Sequence, residues 1–307
     1  MNILEIADDI YLIDLPMELE GYRKFISSWV IKKGERAVLV DIGPAATVPK
    51  LIESVKFLGV RDVEFVLLTH IHLDHAGGVG EVVSAFPDAK VVVHEKGKKH
   101  LVNPEKLWRA SKEVLGEVAD AYGKPKPIPE ESIYDGEVEF GGEVFEVVDT
   151  PGHASHHQSY VYGEFLFVGE ALGVHMPLKN DYYLRPATPP RFVYEVAMDS
   201  IEKINEFGSL RVCFAHFGFK RDSVEIAETA AKQLELWVET VYDIACRRDF
   251  DDEKEIISIA KTELLEKDRR FSRYYLLDAD IRKREDYYIQ NSLKGILHYV
   301  WERFCAP

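Results

Sequence analysis

The sequence predicts an α+β fold closed by an all-helical C-terminal extension. Three observations predict it. Segments of strand and helix character alternate to about residue 219, and no strand pattern follows residue 222. Several apolar strands end directly in a histidine or a carboxylate, as they do where a sheet exposes a site at its rim. The 307 residues, 46% of them hydrophobic, are enough to bury a large core.

Residues 9–15, 25–32 and 36–41 are rich in Ile, Val, Leu and Tyr and are punctuated by Gly or Asp, which predicts three strands. Residues 46–58 carry apolar side chains at helical spacing, and 63–68 read as a buried strand. A helix over 79–86 and a short strand over 90–93 follow. Residues 95–122 look helical but polar, and the proline-rich run Lys124-Pro125-Lys126-Pro127-Ile128-Pro129 stops them. A hairpin is expected over 137–148, turning at Gly141-Gly142. Strands over 159–162 and 164–168 precede a loop at 173–190 that is dense in Pro, Tyr and Arg. A helix over 191–207 and a strand over 210–214 complete this portion, leaving helices at about 222–247, 252–267 and 285–304. Two units result: residues 1–219, and a helical extension, 220–307, packed on them. Ile226, Ala230, Leu234, Trp237, Val241 and Ala245 form a stripe that needs an apolar partner.

Composition excludes some functions. A net charge of −15 argues against a general nucleic-acid binder, because counterion release needs a basic footprint. No run of 18 uncharged apolar residues exists, so no membrane span is expected, and Met1 to Asp9 lack the basic start of a signal peptide. The three cysteines (Cys213, Cys246, Cys305) are far apart and odd in number, which predicts reduced thiols and a cytoplasmic location. Asn and Gln together number only eight beside abundant Glu, Lys and Arg, the pattern of a thermophile protein. The expected partner is a small-molecule substrate, and a homo-oligomer is compatible with the sequence.

The run Thr69-His70-Ile71-His72-Leu73-Asp74-His75-Ala76-Gly77-Gly78 carries most of the functional information. His70 and His72 leave the strand end on one side, because side chains alternate with period two. Asp74 and His75 follow in the turn, and Gly77-Gly78 lets the chain bend into the next helix. Three imidazoles and a carboxylate thus face one small volume, which is the donor set of a metal site. Further candidates stand at later strand ends: His153 on a Pro-Gly turn after 147–149, Glu170 after 165–168, and His216 after 212–214. A lone strand-end histidine is usually structural; several of one topological kind point to a shared site.

The H-x-H-x-D-H loop, the T-P-G-H turn, the glycine–acidic strand end and the terminal strand-end histidine, in this order, resemble the metallo-β-lactamase superfamily over about residues 10–219. The resemblance implies an αβ/βα sandwich: two packed, mostly antiparallel sheets with helices outside and the metals at one sheet edge. It assigns His70, His72 and His153 to a first metal and Asp74, His75 and His216 to a second, with Glu170 bridging them. The usual family residue at that position is Asp, so Glu170 reaches one methylene further. His157, with Gln158 and Ser159, matches the H-x-x-x-H-Q-S pattern of lactonase-like members, and a supporting role is expected for it rather than ligation. His94, His100, His175 and His298 have no such context and are expected to be structural or exposed.

Imidazole and carboxylate without thiolate suit two divalent metals, zinc first, with iron or manganese as alternatives. The expected activity is that of a binuclear, di-zinc metallohydrolase whose metal-bridging hydroxide cleaves an ester, thioester or lactone of a small cytosolic molecule. Asp74 would orient the hydroxide or shuttle its proton, a catalytic role the resemblance implies. One alternative is a mononuclear non-haem iron oxidoreductase of the persulfide dioxygenase type, with His70, His72 and His153 or Glu170 around one iron. Another is a phosphodiesterase or nuclease, which the acidity disfavours. Residues 267–285 carry seven Lys or Arg against four acids, which would attract an anion or contact acidic helices. Residues 182–186 would form a substrate-facing lid or pack over the sheet.

Overall fold

A computed structural model describes residues 2–248 and 250–305. The first sheet runs in chain order: β1 (Ile3–Ala7), β2 (Ile10–Asp14), β3 (Ser27–Lys33), β4 (Arg36–Val40), β5 (Asp62–Leu67) and β6 (Lys90–Val92). β1 to β4 pair antiparallel, while β5 and β6 join in parallel. Those parallel connections cross over through α1 (Val48–Phe57), then through α2 (Leu73–Ala76) and α3 (Val79–Ala85). The polar stretch after β6 forms three short helices, α4 (Glu95–Val102), α5 (Glu105–Leu115) and α6 (Glu117–Tyr122), interrupted at Pro104 and at Gly116. The chain then lays down β7 (Val138–Phe140), β8 (Glu143–Asp149), β9 (Gln158–Tyr162) and β10 (Phe165–Gly169), and after them the hairpin β11 (Val174–Pro177) and β12 (Tyr182–Arg185). α7 (Tyr194–Glu206) leads to β13 (Arg211–Phe214) and β14 (Phe219–Lys220), and the second sheet reads β14-β13-β10-β9-β8-β7. The tail is α8 (Ser223–Tyr242), α9 (Glu253–Lys267) and α10 (Ala279–Val300).

Burial follows from alternation. In β4 and β5, Val38, Val40, Phe65 and Leu67 face the second sheet and meet Trp29, Phe140, Phe145 and Phe167. Their neighbours Ala37, Leu39, Val63 and Val66 face the other way, onto Leu51, Val55 and Val82 of the outer helices. Both faces are therefore apolar, as expected of strands covered on two sides. The outer face of the second sheet (Leu166, Val212, Phe214) is covered by Trp237, Leu264 and Leu293 of the tail. The stripe on α8 thus has its partner. The result is helix, sheet, sheet, helix.

Several sequence expectations change. The stretch 173–190 is not all loop, because β11 and β12 pair across it. Tyr183, Leu184 and Arg185 are buried, so residues 182–186 pack rather than form a lid. The last helix starts at Ala279, earlier than its apolar spacing indicates. Cys246 and Cys305 form a disulfide with their Cα atoms 5.7 Å apart, which overturns the expectation of reduced thiols for these two. Sequence distance misled here, since antiparallel packing of the tail returns the end of α10 to the end of α8. Cys213 is buried and free, and the cysteine argument for a reducing compartment falls. The basic stretch is matched by acids: Arg270 and Arg273 hold Asp181 at 2.6 and 2.5 Å, Lys267 holds Glu263 at 2.6 Å, and Lys283 pairs with Glu20. Among the described residues, no helix is long and apolar enough to cross a membrane.

Two tail contacts bear on the site. Glu285, fully buried on α10, binds Arg185 Nε at 2.6 Å and Arg284 at 3.0 Å, and it accepts the Tyr183 hydroxyl at 3.0 Å. Further along α10, Gly295 lies so close to residues 186–189 that a Cβ would sit 2.0 Å from the Thr188 carbonyl oxygen. Thr188 Oγ1 donates to the Ser292 carbonyl at 3.0 Å, and Ser292 Oγ donates to that of Pro186 at 3.1 Å.

Candidate metal centre

All seven expected donors meet where the two sheets share an edge. Cross-links between the sheets fix that edge: Ser27 Oγ donates to the Ala215 carbonyl at 2.7 Å and Trp29 Nε1 to that of Phe214 at 2.9 Å. On the other side, Gln158 N donates to the Thr69 carbonyl at 2.8 Å. The strand end carrying His216 and the loop carrying His70 are thereby held against the same rim.

The donors form two groups. His70, His72, His153 and Glu170 each place one ligand atom within 4.8 Å of the others, and Asp74, His75 and His216 do the same. His72 Nδ1 lies 3.0 Å from His70 Nε2 and 2.9 Å from His153 Nε2. Glu170 spans both groups. Its Oε2 is 2.9 Å from His153, 3.4 Å from His70 and 3.5 Å from His75, while Oε1 is 3.3 Å from His216. Asp74 Oδ2 stands 3.7 Å from His75 and 3.8 Å from His216.

The outward nitrogens decide what the inward ones offer. The Asp41 carboxylate accepts from Thr69 N at 2.8 Å and from Thr69 Oγ1 at 2.9 Å, which uses the hydroxyl's one proton. Thr69 Oγ1, 3.0 Å from His70 Nδ1, must then accept, so His70 is protonated at Nδ1 and presents a lone pair at Nε2. His75 Nδ1 donates to Asp41 Oδ2 at 3.0 Å, His153 Nδ1 to the Ala187 carbonyl at 3.0 Å, and His216 Nδ1 to that of Phe25 at 3.3 Å. Each of these four rings turns its Nε2 inward, the arrangement that outer hydrogen bonds give metal-bound histidine. His75 Nε2 is buried without a hydrogen-bond partner among the described residues. A single proton on His72 Nδ1 bridges at most one of the two facing nitrogens well, whereas a divalent ion satisfies all three. The donor set fits metal.

Electrostatics agree. Burial, then the neighbouring imidazoles, hold His70 and His72 well below the usual histidine range, so both stay neutral. Burial opposes charge on His75, but Asp74 and Asp41 outweigh it and push this ring well above that range. His75 therefore lies in a field that draws a cation to Nε2, whether proton or metal ion. Burial also opposes the Glu170 charge, and His153 and His216 overcome it, keeping the carboxyl well below its usual range.

His157 acts behind the donors. Its Nε2 accepts the Glu170 backbone N–H at 3.0 Å, and its Nδ1 faces Thr150 Oγ1 at 2.9 Å. Burial, followed by the nearby His153, depresses it to about 3, so it remains the neutral acceptor this bond needs. Gly169 makes the approach possible, with φ at +56° and a would-be Cβ only 2.3 Å from His157 Nε2. His175 is structural: buried in β11, it donates Nδ1 to the Phe217 carbonyl at 3.0 Å. Asp41, which orients His75 and Thr69, was not singled out in the sequence. Its only signal is an acidic residue at a strand end before Ile42-Gly43-Pro44, where the backbone takes φ +49°.

The profile of the Metallo-beta-lactamase superfamily matches residues 21–216, which include every donor. The chain belongs to the metallo-beta-lactamase superfamily. Like the metallo-beta-lactamase fold-containing protein ST1585 of Sulfurisphaera tokodaii, to which it is 33% identical over 218 residues, it carries this domain through most of its length; the match spans 68% of this chain and 78% of that one. Hydroxyacylglutathione hydrolase of Aliivibrio fischeri is 33% identical over 146 residues, 47% of this chain and 46% of its own. Among solved structures, the archaeal superfamily protein ST1585 superposes with a TM-score of 0.68 at 22% identity, covering 94% of this chain and 98% of that one. A metallo-beta-lactamase family protein of Thermus thermophilus gives 0.67 at 20% identity, covering 97% and 95%. These superpositions show the metallo-beta-lactamase fold and extend over the helical tail.

Proposed function

We propose that the chain is a binuclear metallohydrolase acting on an ester, thioester or lactone of a small molecule, with residues 220–307 as an extension packed on the catalytic domain. The observation that carries this is Glu170, whose two oxygens reach both donor groups. Asp74, His75 and His216 are assembled as closely as the first group, which favours two metals over the single iron of an oxidoreductase. Relatives named hydroxyacylglutathione hydrolase support an acyl substrate, and the name describes a thioester.

Bound at these donors, two divalent ions, zinc by donor type, supply Lewis acidity and lower the pKa of water towards neutrality. The chain's residues do the rest. Thr69, Asp41, Ala187 and Phe25 fix the ring orientations, so the donors need little reorganisation. Glu170 is held ionised, and His157 fixes its backbone. Asp74 is partly exposed at the rim, where its carboxylate can accept a proton from water and return it to a leaving group.

The test is metal analysis of protein purified without chelators, followed by a panel of ester, thioester, lactone and phosphodiester substrates. Two metals per chain are expected, with acyl turnover abolished by chelation and restored by Zn or Mn. One iron per chain without acyl turnover refutes the reading.

A further inference from the structure

One cavity shares no lining residue with the seven metal donors. It measures about 530 Å³ and opens between the turn of the β11–β12 hairpin, β14 and the chain that follows α9. Asp181, Lys220, Arg269 and Arg270 supply the charges of its lining. Arg269 is exposed, and Lys220 and Arg270 are half-buried, so all three cations stand at the surface of an open cavity.

These charges do not cancel. Asp181 is held by both Arg270 and Arg273, at 2.6 and 2.5 Å, and Arg270 also lies 3.8 Å from Glu225. Lys220 and Arg269 have no carboxylate partner among the described residues. Asp268, beside Arg269 in the chain, is turned inward to Gln233 and Trp237 at 2.7 and 2.8 Å. Counting Arg273, four cations stand against two carboxylates, Asp181 and Glu225. Lys220 Nζ and the Arg270 guanidinium carbon lie 3.6 and 3.7 Å from the Tyr182 ring centre, so two like charges crowd one aromatic ring.

The neighbouring groups feel this surplus. Burial and then Arg270 lower the Lys220 pKa, and Glu225 and Asp181 oppose them less strongly. On the cavity wall, burial, partly offset by the bond to the Phe217 carbonyl, and then Lys220 and Arg270 depress His175 to about 4. An anion in the cavity relieves the repulsion between the cations. The surplus of two charges matches a phosphate group, which carries about −1.5 to −2 at neutral pH. Arginine forks and a lysine point charge are both suited to its oxygens. Cavities of roughly 300–1,000 Å³ hold small organic molecules, so there is room for a body beyond the phosphate, against Phe219 and Pro177.

We propose that this cavity binds the phosphate group of a small molecule between Lys220, Arg269 and Arg270, at a site separate from the metal centre. It goes beyond the acyl-hydrolase reading and does not rest on it. Metal-loaded parent, Lys220→Met and Arg269→Gln are titrated by calorimetry with inorganic phosphate and with phenyl phosphate, at low ionic strength. Losing a contact between charged groups is expected to weaken binding about tenfold or more in each variant. Metal content and denaturation midpoint equal to the parent's show that the variants are folded. Arg269 is exposed, so Arg269→Gln decides the matter even if Lys220→Met fails to fold. Tighter binding of phenyl phosphate identifies an ester as the ligand, and equal binding of the two probes identifies free phosphate. Phosphate also ligates metal ions, and neither substituted residue belongs to the donor groups. Equal affinity in parent and variants therefore assigns the binding to the metal centre and overturns the proposal, as does undetectable binding of both probes to the parent.

Discussion

Replacing Glu285 by Gln changes little in shape and removes the one negative charge between Arg185 and Arg284. Two routes give the size of the effect. Burial works against this carboxylate, but Arg185 and Arg284 outweigh it and hold its pKa at about 2, against 4.5 for a free glutamate. At about 1.36 kcal/mol per pH unit, that difference is on the order of 3 kcal/mol of native-state stability. Removing one member of a buried ion pair costs about 3–5 kcal/mol, because the partners stay buried without compensation. Glu285→Gln should therefore lose roughly 3 kcal/mol at pH 7 in equilibrium denaturant unfolding of metal-loaded protein. The pH dependence has a definite sign. A depressed carboxyl stabilises fully above its unfolded value, so the gap between parent and variant should be complete at neutral pH and shrink as pH falls from 4.5 towards about 2. A gap below about 1 kcal/mol at pH 7, or one that widens on acidification, would refute the account.

Glu170→Asp, although it restores the usual family residue, should lower metal stoichiometry at the more weakly held group. The carboxylate retreats by about 1.5 Å and no longer spans from His153 to His216. Two firmly bound metals by elemental analysis, with an undiminished rate, would show that the span is not needed. Cys246→Ser opens a cross-link across 59 residues of chain and should cost up to about 4 kcal/mol by loop-closure entropy. The denaturation midpoint should fall accordingly, and a reductant should bring the parent to the same value.

The donors were legible because chemistry limits them. Few residue types bind metal, and strand alternation with short turns fixes where His70, His72, His153, Glu170 and His216 stand relative to their strands. The long apolar strands and the stripe on α8 were legible from periodicity alone. What stayed hidden depends on three dimensions. Asp41 looks like any turn acid until Thr69 and His75 arrive from elsewhere in the chain. The Ala187 and Phe25 carbonyls orient two of the donor histidines, His153 and His216, with backbone atoms, which carry no sequence signature. The β11–β12 hairpin sits in a stretch whose prolines read as loop, and burial of Tyr182 to Arg185 against the tail overrides that local tendency. The Cys246–Cys305 bond depends on where helices end after packing.

The close seat of α10 on residues 186–189 has a wider consequence. Ala187 supplies the carbonyl that sets the His153 ring, and that strip is gripped by Ser292 and Gly295, more than a hundred residues downstream and outside the family-matched region. The tail thus bears on the alignment of a donor without supplying one itself. Two superfamily members with the same seven donors but different C-terminal helices would hold this histidine at different angles, and would differ in metal preference without a single ligand substitution. Transplanting the donor motifs onto another member's scaffold would carry over the ligands and leave their alignment behind.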